Sequence, residues 1–159
     1  MALRTILKIG NETLNKPSRK AEINDKLFEL LDDLKETLQK ADGLGLAAPQ
    51  VGILRRAAIV IDENGEAIEL INPVIVKQKG QVVDAEGCLS VPGRFGEVER
   101  PQNVVVRTYD RDGKQYEITL EDLTARAACH EIDHLNGELF VDKVIRFLDD
   151  EDLQNASIK

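Results

Sequence analysis

The sequence predicts an α+β fold, and two observations carry that reading. Short extended runs separated by turn signals follow one another through the middle of the chain, and a helix-period pattern stands on either side of them. The arrangement expected is antiparallel strands packed around the second helix, with the N-terminal helix on the outside. At 159 residues the chain has the length of one ordinary domain, and residues 1–159 are read as a single unit whose last part, 148–159, is a short acidic tail.

The first helix is expected over residues 24–41. Leu27, Leu30, Leu31, Leu34, Leu38 and Ala41 fall on one stripe at spacings of three and four, Asn24 can cap the first turn, and Gly43 stands as the stop. Extended runs follow at 56–61, 66–71, 74–79, 104–109 and 114–120. Asn64-Gly65 and Asp112-Gly113 are hairpin signals, and Asn72-Pro73 is a break. Residues 93–99 show no pattern that assigns them. The second helix is expected over 120–135, with Thr119 and Asp122 at capping-box spacing and Asn136-Gly137 as its end.

Charge and composition exclude several function classes. Lys plus Arg number 21 against 29 Asp plus Glu, a net charge of −8, which repels phosphate backbones and argues against direct nucleic-acid binding. No apolar run approaches the roughly 20 residues that cross a bilayer, so no membrane partner is expected. Two cysteines are too few for a disulfide framework, and no apolar signal core follows Met1-Ala2-Leu3-Arg4; a reducing cytoplasm fits best.

Chemistry concentrates on the second helix. Leu123, Ala127, His130 and His134 continue one inward stripe, and the chain's two histidines stand at i and i+4 in His130-Glu131-Ile132-Asp133-His134. Side chains four apart on a helix are about 5–6 Å from one another at Cβ, so two imidazoles can meet one metal at about 2.0–2.1 Å. Glu131 is turned about 100° from His130 and flanks such a metal, where a proton acceptor for a bound water belongs. A metalloprotease extension would put a third histidine where this chain has Phe140, and Glu138, Asp142 and the acidic block Asp149-Asp150-Glu151-Asp152 do not continue the helical pattern. Cys88, in Glu86-Gly87-Cys88-Leu89-Ser90, is the remaining candidate third ligand. A thiolate with two imidazoles suits Zn²⁺, Fe²⁺, Co²⁺ or Ni²⁺ and leaves one position open. The alternative is a closed structural site that adds Cys129. That residue is turned to the side opposite Glu131 and would need the helix to unwind; its plainer reading is a small buried apolar group.

Gly43-Leu44-Gly45-Leu46-Ala47-Ala48-Pro49-Gln50 matches a dinucleotide fingerprint only superficially, because it follows a helix and leads toward a strand. Its plain reading is a helix stop and turn. Its functional reading is that Gly45 lets an extended peptide backbone come close while Gln50 offers a neutral amide donor to a developing oxyanion.

Together the segments 43–50, 86–90 and 130–134 resemble the three motifs of the peptide deformylase family. The resemblance extends over nearly the whole chain, including Leu70-Ile71-Asn72-Pro73 and Val91-Pro92-Gly93. It implies removal of the formyl group from the N-terminal formyl-methionine of newly made polypeptides, so the implied partner is the N-formyl-methionyl nascent peptide. It also implies one divalent metal on Cys88, His130 and His134, Fe²⁺ in the cell, with Zn²⁺, Ni²⁺ or Co²⁺ as replacements in purified protein because Fe²⁺ binds less tightly. Metal-activated water would attack the formyl carbon with Glu131 as general base and then acid. Gln50 and the Leu89 backbone N–H would face the oxyanion, Gly45 would bond the substrate backbone, and Leu44, Leu123 and Ala127 would line a methionine pocket. Asp133 and Arg100 would either pair beside the metal or stand apart as solvated charges. Some family members end in a longer basic helix used at the ribosome; here an acidic stretch precedes Lys159, a departure from that pattern which leaves contact with the ribosome open. Two rival readings remain at this point: a small metallopeptidase using the same Glu131, and a non-catalytic binding domain stapled by the closed site.

Overall fold

The structure, a computed structural model, describes residues 2–154. Helix α1 spans Asp25–Ala41 and is followed by strands β1 (Gly45–Ala47), β2 (Ala57–Ile61), β3 (Ala67–Ile71), β4 (Val74–Lys79), β5 (Val82–Cys88), β6 (Val91–Arg100), β7 (Asn103–Tyr109) and β8 (Gln115–Glu121). Helix α2 (Asp122–Leu135), strand β9 (Arg146–Phe147) and the short helix α3 (Asp150–Gln154) complete the described chain. Residues 150–154 of the expected acidic tail therefore form a helical turn, and 155–159 lie outside the described residues.

The strands form three small antiparallel sheets, ordered β1-β2-β3, β4-β7-β8 and β5-β6-β9. The first lies between the two long helices. Side chains alternate across a strand, so Ala57 and Ile59 of β2 meet the leucine stripe of α1, while Ala58 and Val60 meet Ala125, Ala128, Ile132 and Leu135 of α2. Covered on both faces, β2 reads as the continuous apolar run Ala57-Ala58-Ile59-Val60 rather than an alternating one. Val104, Val106 and Leu120 of the second sheet close over α2 from another side. The expected α+β class with antiparallel strands is the one observed.

Local chemistry explains the corners. Asn24 Oδ1 accepts the Leu27 amide at 3.0 Å and caps α1. In the β2–β3 hairpin Asp62 Oδ1 accepts the amides of Asn64 and Glu66, both at 2.9 Å; Asp110 does the same for Asp112 and Lys114 between β7 and β8. Asn72, left-handed at φ 48°, bonds both the N–H and the C=O of Ala21 and so fastens the N-terminal segment to the β3–β4 corner. Thr108 Oγ1 likewise accepts from Ile71 N at 2.8 Å and donates to Ile71 O at 3.0 Å, joining the first two sheets.

Three expectations are corrected, and one unassigned stretch finds its place. Asp42, not Gly43, takes the left-handed residue that ends α1 (φ 56°), because a short polar side chain tolerates that conformation. Thr119 and Asp122 form no capping box: β8 stays paired with β7 as far as Glu121, so Thr119 is strand, and the start of α2 has no side-chain cap. Leu123 is not in the core but 47% exposed, because the first turn of α2 overhangs the mouth of a cleft. Finally, 93–99 belongs to β6, the second arm of a long hairpin with β5. No helix among the described residues is long and apolar enough to cross a membrane.

Candidate active site

The β5–β6 hairpin and α2 bring Cys88, His130 and His134 together. Their donor atoms lie within 4.8 Å of one another, and Cys88 Sγ is 3.4 Å from His134 Nε2. Donors at ordinary zinc-like bond lengths in a tetrahedron stand roughly 3.3–3.6 Å apart, and the Cys88–His134 edge has that length. Phe140, at the position searched for a third histidine, instead packs its ring 5.9 Å from that of His130 as an apolar wall. Cys129 points away into the core beside Ala128 and Ile132, where burial pushes its thiol up to about 11. The donor group found among the described residues is the three-membered one, and the closed site with Cys129 is not formed.

Glu86 organises this triangle. Its Oε1 accepts His130 Nδ1 at 2.6 Å and Arg100 Nη2 at 2.7 Å; its Oε2 accepts Arg100 Nε at 3.0 Å and Arg126 Nη1 at 2.9 Å. Burial alone would raise the Glu86 pKa, but the bonds from His130 and Arg100 outweigh it and hold the carboxyl well below its ordinary range. Fixing the His130 proton on Nδ1 leaves Nε2 free for a metal. Arg100 also donates to Asp133 Oδ2 at 2.6 Å, so those two residues are paired rather than separately solvated. Arg126 is held further by the carbonyls of Val98 and Val82, at 2.9 and 2.8 Å. The roles of Glu86 and Arg126 escaped the sequence reading. Arg126 could have been found one turn before His130 on the same helix face; Glu86, 44 residues from His130, carries no such spacing signal.

The electrostatics around the triangle favour a cation. Burial opposes a charge on His130, but Cys88, Glu131 and Glu86 outweigh it and raise its pKa well above the usual value, so the surrounding anions favour a cation there, and an ion binding at Nε2 takes the place of a proton. Burial, reinforced by His130 and Arg100, keeps His134 neutral, as a metal ligand must be. The donor set and its surroundings thus fit a borderline divalent ion.

Glu131 faces the same space. It is 3% exposed, its Oε1 has no hydrogen-bond partner among the described residues, and burial pushes its pKa up to about 7. Gly45 makes room for it: a Cβ there would overlap Glu131 Oε2 and come within 2.9 Å of Cγ and Cδ. Gln50 is locked in place, its Oε1 accepting Ala47 N at 2.9 Å and its Nε2 donating to Ser90 Oγ at 3.0 Å while standing 3.6 Å from Cys88 Sγ. One cleft of about 630 Å³ is lined by Leu44, Gly45, Gln50, Cys88, Leu89, Leu123, Ala127, His130 and Glu131. Every sequence-read site residue therefore meets in one place, with His134 just behind the cleft wall.

Fold and site define a class: a small α+β protein with a Cys/His/His donor group, two of whose members, Cys88 and His130, line an open cleft. A family model described as Polypeptide deformylase matches residues 3–149. The chain is 57% identical over 157 residues to the peptide deformylase of Caldanaerobacter subterraneus subsp. tengcongensis, covering 98% of each chain, and 56% identical over 155 residues to that of Caldicellulosiruptor bescii, covering 97% and 93%. The chain belongs to the peptide deformylase family. Solved structures agree: a peptide deformylase from Legionella pneumophila superposes with a TM-score of 0.85 at 41% identity, covering 96% of this chain and 90% of that one. A class I type b enzyme from Acinetobacter baumannii with Met-Ala-Ser bound gives 0.84 at 31%, covering 89% and 98%.

Proposed function

We propose that the chain hydrolyses the formyl group from the N-terminal formyl-methionine of nascent polypeptides, in the cytoplasm, at the site formed by Cys88, His130 and His134. The observation that carries this is the buried carboxylate of Glu131, with one unpartnered oxygen, beside those three donors in an open cleft. Cys88, His130 and His134 would hold a divalent ion, Fe²⁺ in the cell and Zn²⁺, Ni²⁺ or Co²⁺ in some preparations, which would supply Lewis acidity that brings the pKa of water down to about 7.

Glu131 accepts the proton of the attacking water as its oxygen adds to the formyl carbon. Negative charge then develops on the formyl oxygen, where Gln50 Nε2 and the Leu89 N–H act as donors, each worth about 3–4 kcal/mol by analogy with other oxyanion donors. Glu131 returns its proton to the leaving nitrogen, and the C–N bond breaks to give formate and a free α-amine. Gly45 begins β1, an edge strand, and is suited to bond an extended substrate backbone; Leu44, Leu123 and Ala127 take the methionine side chain. The Met-Ala-Ser complex of the Acinetobacter relative supports a substrate of this kind. The acidic stretch at 149–152 offers no basic surface to ribosomal RNA, so binding to the ribosome by that stretch has no part in this reading.

Formate release from formyl-Met-Ala-Ser, with metal analysis of the same sample, tests the proposal. One formate per peptide with Met-Ala-Ser left intact is the expected result; free amino acids without formate would establish the metallopeptidase instead. Gly45→Ala provides a second check. Because its methyl group displaces the Glu131 carboxylate, kcat/KM for formate release is expected to fall about 100-fold with metal content unchanged.

A further inference from the structure

Residues 7–9 run as a strap across the two segments that supply the oxyanion donors. Leu7 N donates to Gln50 O at 2.7 Å and Ile9 N to Ser90 O at 2.8 Å, while between them Lys8 Nζ donates to Leu89 O at 3.1 Å. Three consecutive residues thus hold the carbonyls of Gln50, Leu89 and Ser90. Gln50 belongs to the 3-10 turn after β1, whereas Leu89 and Ser90 form the turn of the β5–β6 hairpin in a different sheet. On their other side the same segments meet through Gln50 Nε2 and Ser90 Oγ. Lys8 itself lines the cleft.

We propose that this strap is part of the catalytic apparatus: it sets the separation between the Gln50 and Leu89 donors, and Lys8 is a positioning residue that acts through the Leu89 carbonyl. The inference rests on the oxyanion role given to those donors above. Its physical basis is geometric. Donors must stand about 2.7–3.1 Å from the place the oxyanion will occupy, and here they come from two separate turns whose relative position a side-to-side clamp can hold. The strap's bonds fall on carbonyls rather than on the donor groups themselves; Gln50 Nε2, which donates to Ser90 Oγ at 3.0 Å and to Cys88 Sγ at 3.6 Å, turns one of these bonds over to the reacting oxygen. The Lys8 ammonium also brings a positive charge to the hairpin turn whose Leu89 N–H faces the developing negative charge.

Lys8→Met keeps the stem and removes the ammonium. In the metal-loaded protein, kcat for formyl-Met-Ala-Ser is expected to fall about 3- to 10-fold, with KM and the affinity for Met-Ala-Ser within about twofold, metal content unchanged, and kcat restored to within about twofold by Lys8→Arg. Amide exchange across residues 86–92 should accelerate in Lys8→Met, a readout that needs no turnover. In a Gln50→Ala background the Lys8→Met penalty should shrink below about twofold, because both changes act on one charge. Unchanged kcat and exchange would overturn the proposal. So would a kcat loss matched by lost metal or by equally weakened Met-Ala-Ser binding, which is the mark of a purely structural contact. If the deformylase reading itself fails, the wild-type protein releases no formate, whatever the exchange result.

Discussion

Glu131→Gln is expected to lower kcat for formate release by about 10²- to 10⁴-fold while one equivalent of metal stays bound. The amide matches the carboxylate in shape, so its contact with Gly45 survives, but it cannot take up a proton. Retention of wild-type turnover would remove Glu131 from the acid–base role. The pH profile carries the same information. Burial pushes the Glu131 pKa up to about 7, and a divalent cation beside it pulls the other way. Because the base works only when ionised, kcat/KM should rise with pH along a limb centred at or below 7, and that limb should vanish in the variant. Stability moves oppositely. A folded-state pKa raised above the ordinary value means the ionised carboxylate destabilises the metal-free fold, by an amount absent below about pH 4.5 and complete above about 7. Metal-free Glu131→Gln should therefore gain melting temperature over wild type as pH rises through that window.

Glu86→Gln is expected to destabilise the protein by about 3–5 kcal/mol in urea titrations at pH 7 and to weaken metal binding by about 10- to 100-fold. The first effect arises because Arg100 and Arg126, 5% and 6% exposed, lose the charge that compensates them. The second arises because the His130 ring loses the acceptor that fixes its Nδ1 proton. Glu86 ionises in the fold well below its ordinary value, so its contribution is fully present above the unfolded-state value of about 4.3 and is lost only as pH falls through the depressed one. The gap between wild type and variant should thus persist through mildly acidic pH and close only in strong acid. Equal urea midpoints at pH 7 would show that the network does not support the fold.

Helix α1 was legible because five leucines bury one face against a sheet, and the two hairpins because Asn-Gly and Asp-Gly suit their turns. His130, His134 and Cys88 could be read as one centre by spacing and elimination. The β5–β6 hairpin could not, for a physical reason. The inward positions of β6 include Gly96, Val98 and Arg100, so only one of the three is an apolar side chain. Gly96 is small because Val144 occupies the space where its Cβ would stand, and Gly87 of β5 yields in the same way to Phe95. An alternation carried by a glycine and a buried guanidinium is invisible to a hydrophobic pattern. Glu86 was missed for a related reason: a buried carboxylate is recognisable only once its partners, 14, 40 and 44 residues away in sequence, are in place. Leu123 shows the opposite error, since helical period placed it beside His130 without showing that the helix start overhangs open solvent.

Cys88 stands at the end of β5, beside the hairpin turn, whereas both histidines lie on a helix packed between sheets. The centre is therefore closed by contacts of long sequence separation, and local opening of one hairpin suffices to break it. An ion bound at about 100 times its dissociation constant adds about 2.7 kcal/mol to the folded state, most directly to the state in which that hairpin is docked. Metal residence time then becomes a clock for the opening of β5 and β6, ticking at the rate of a local motion rather than of global unfolding.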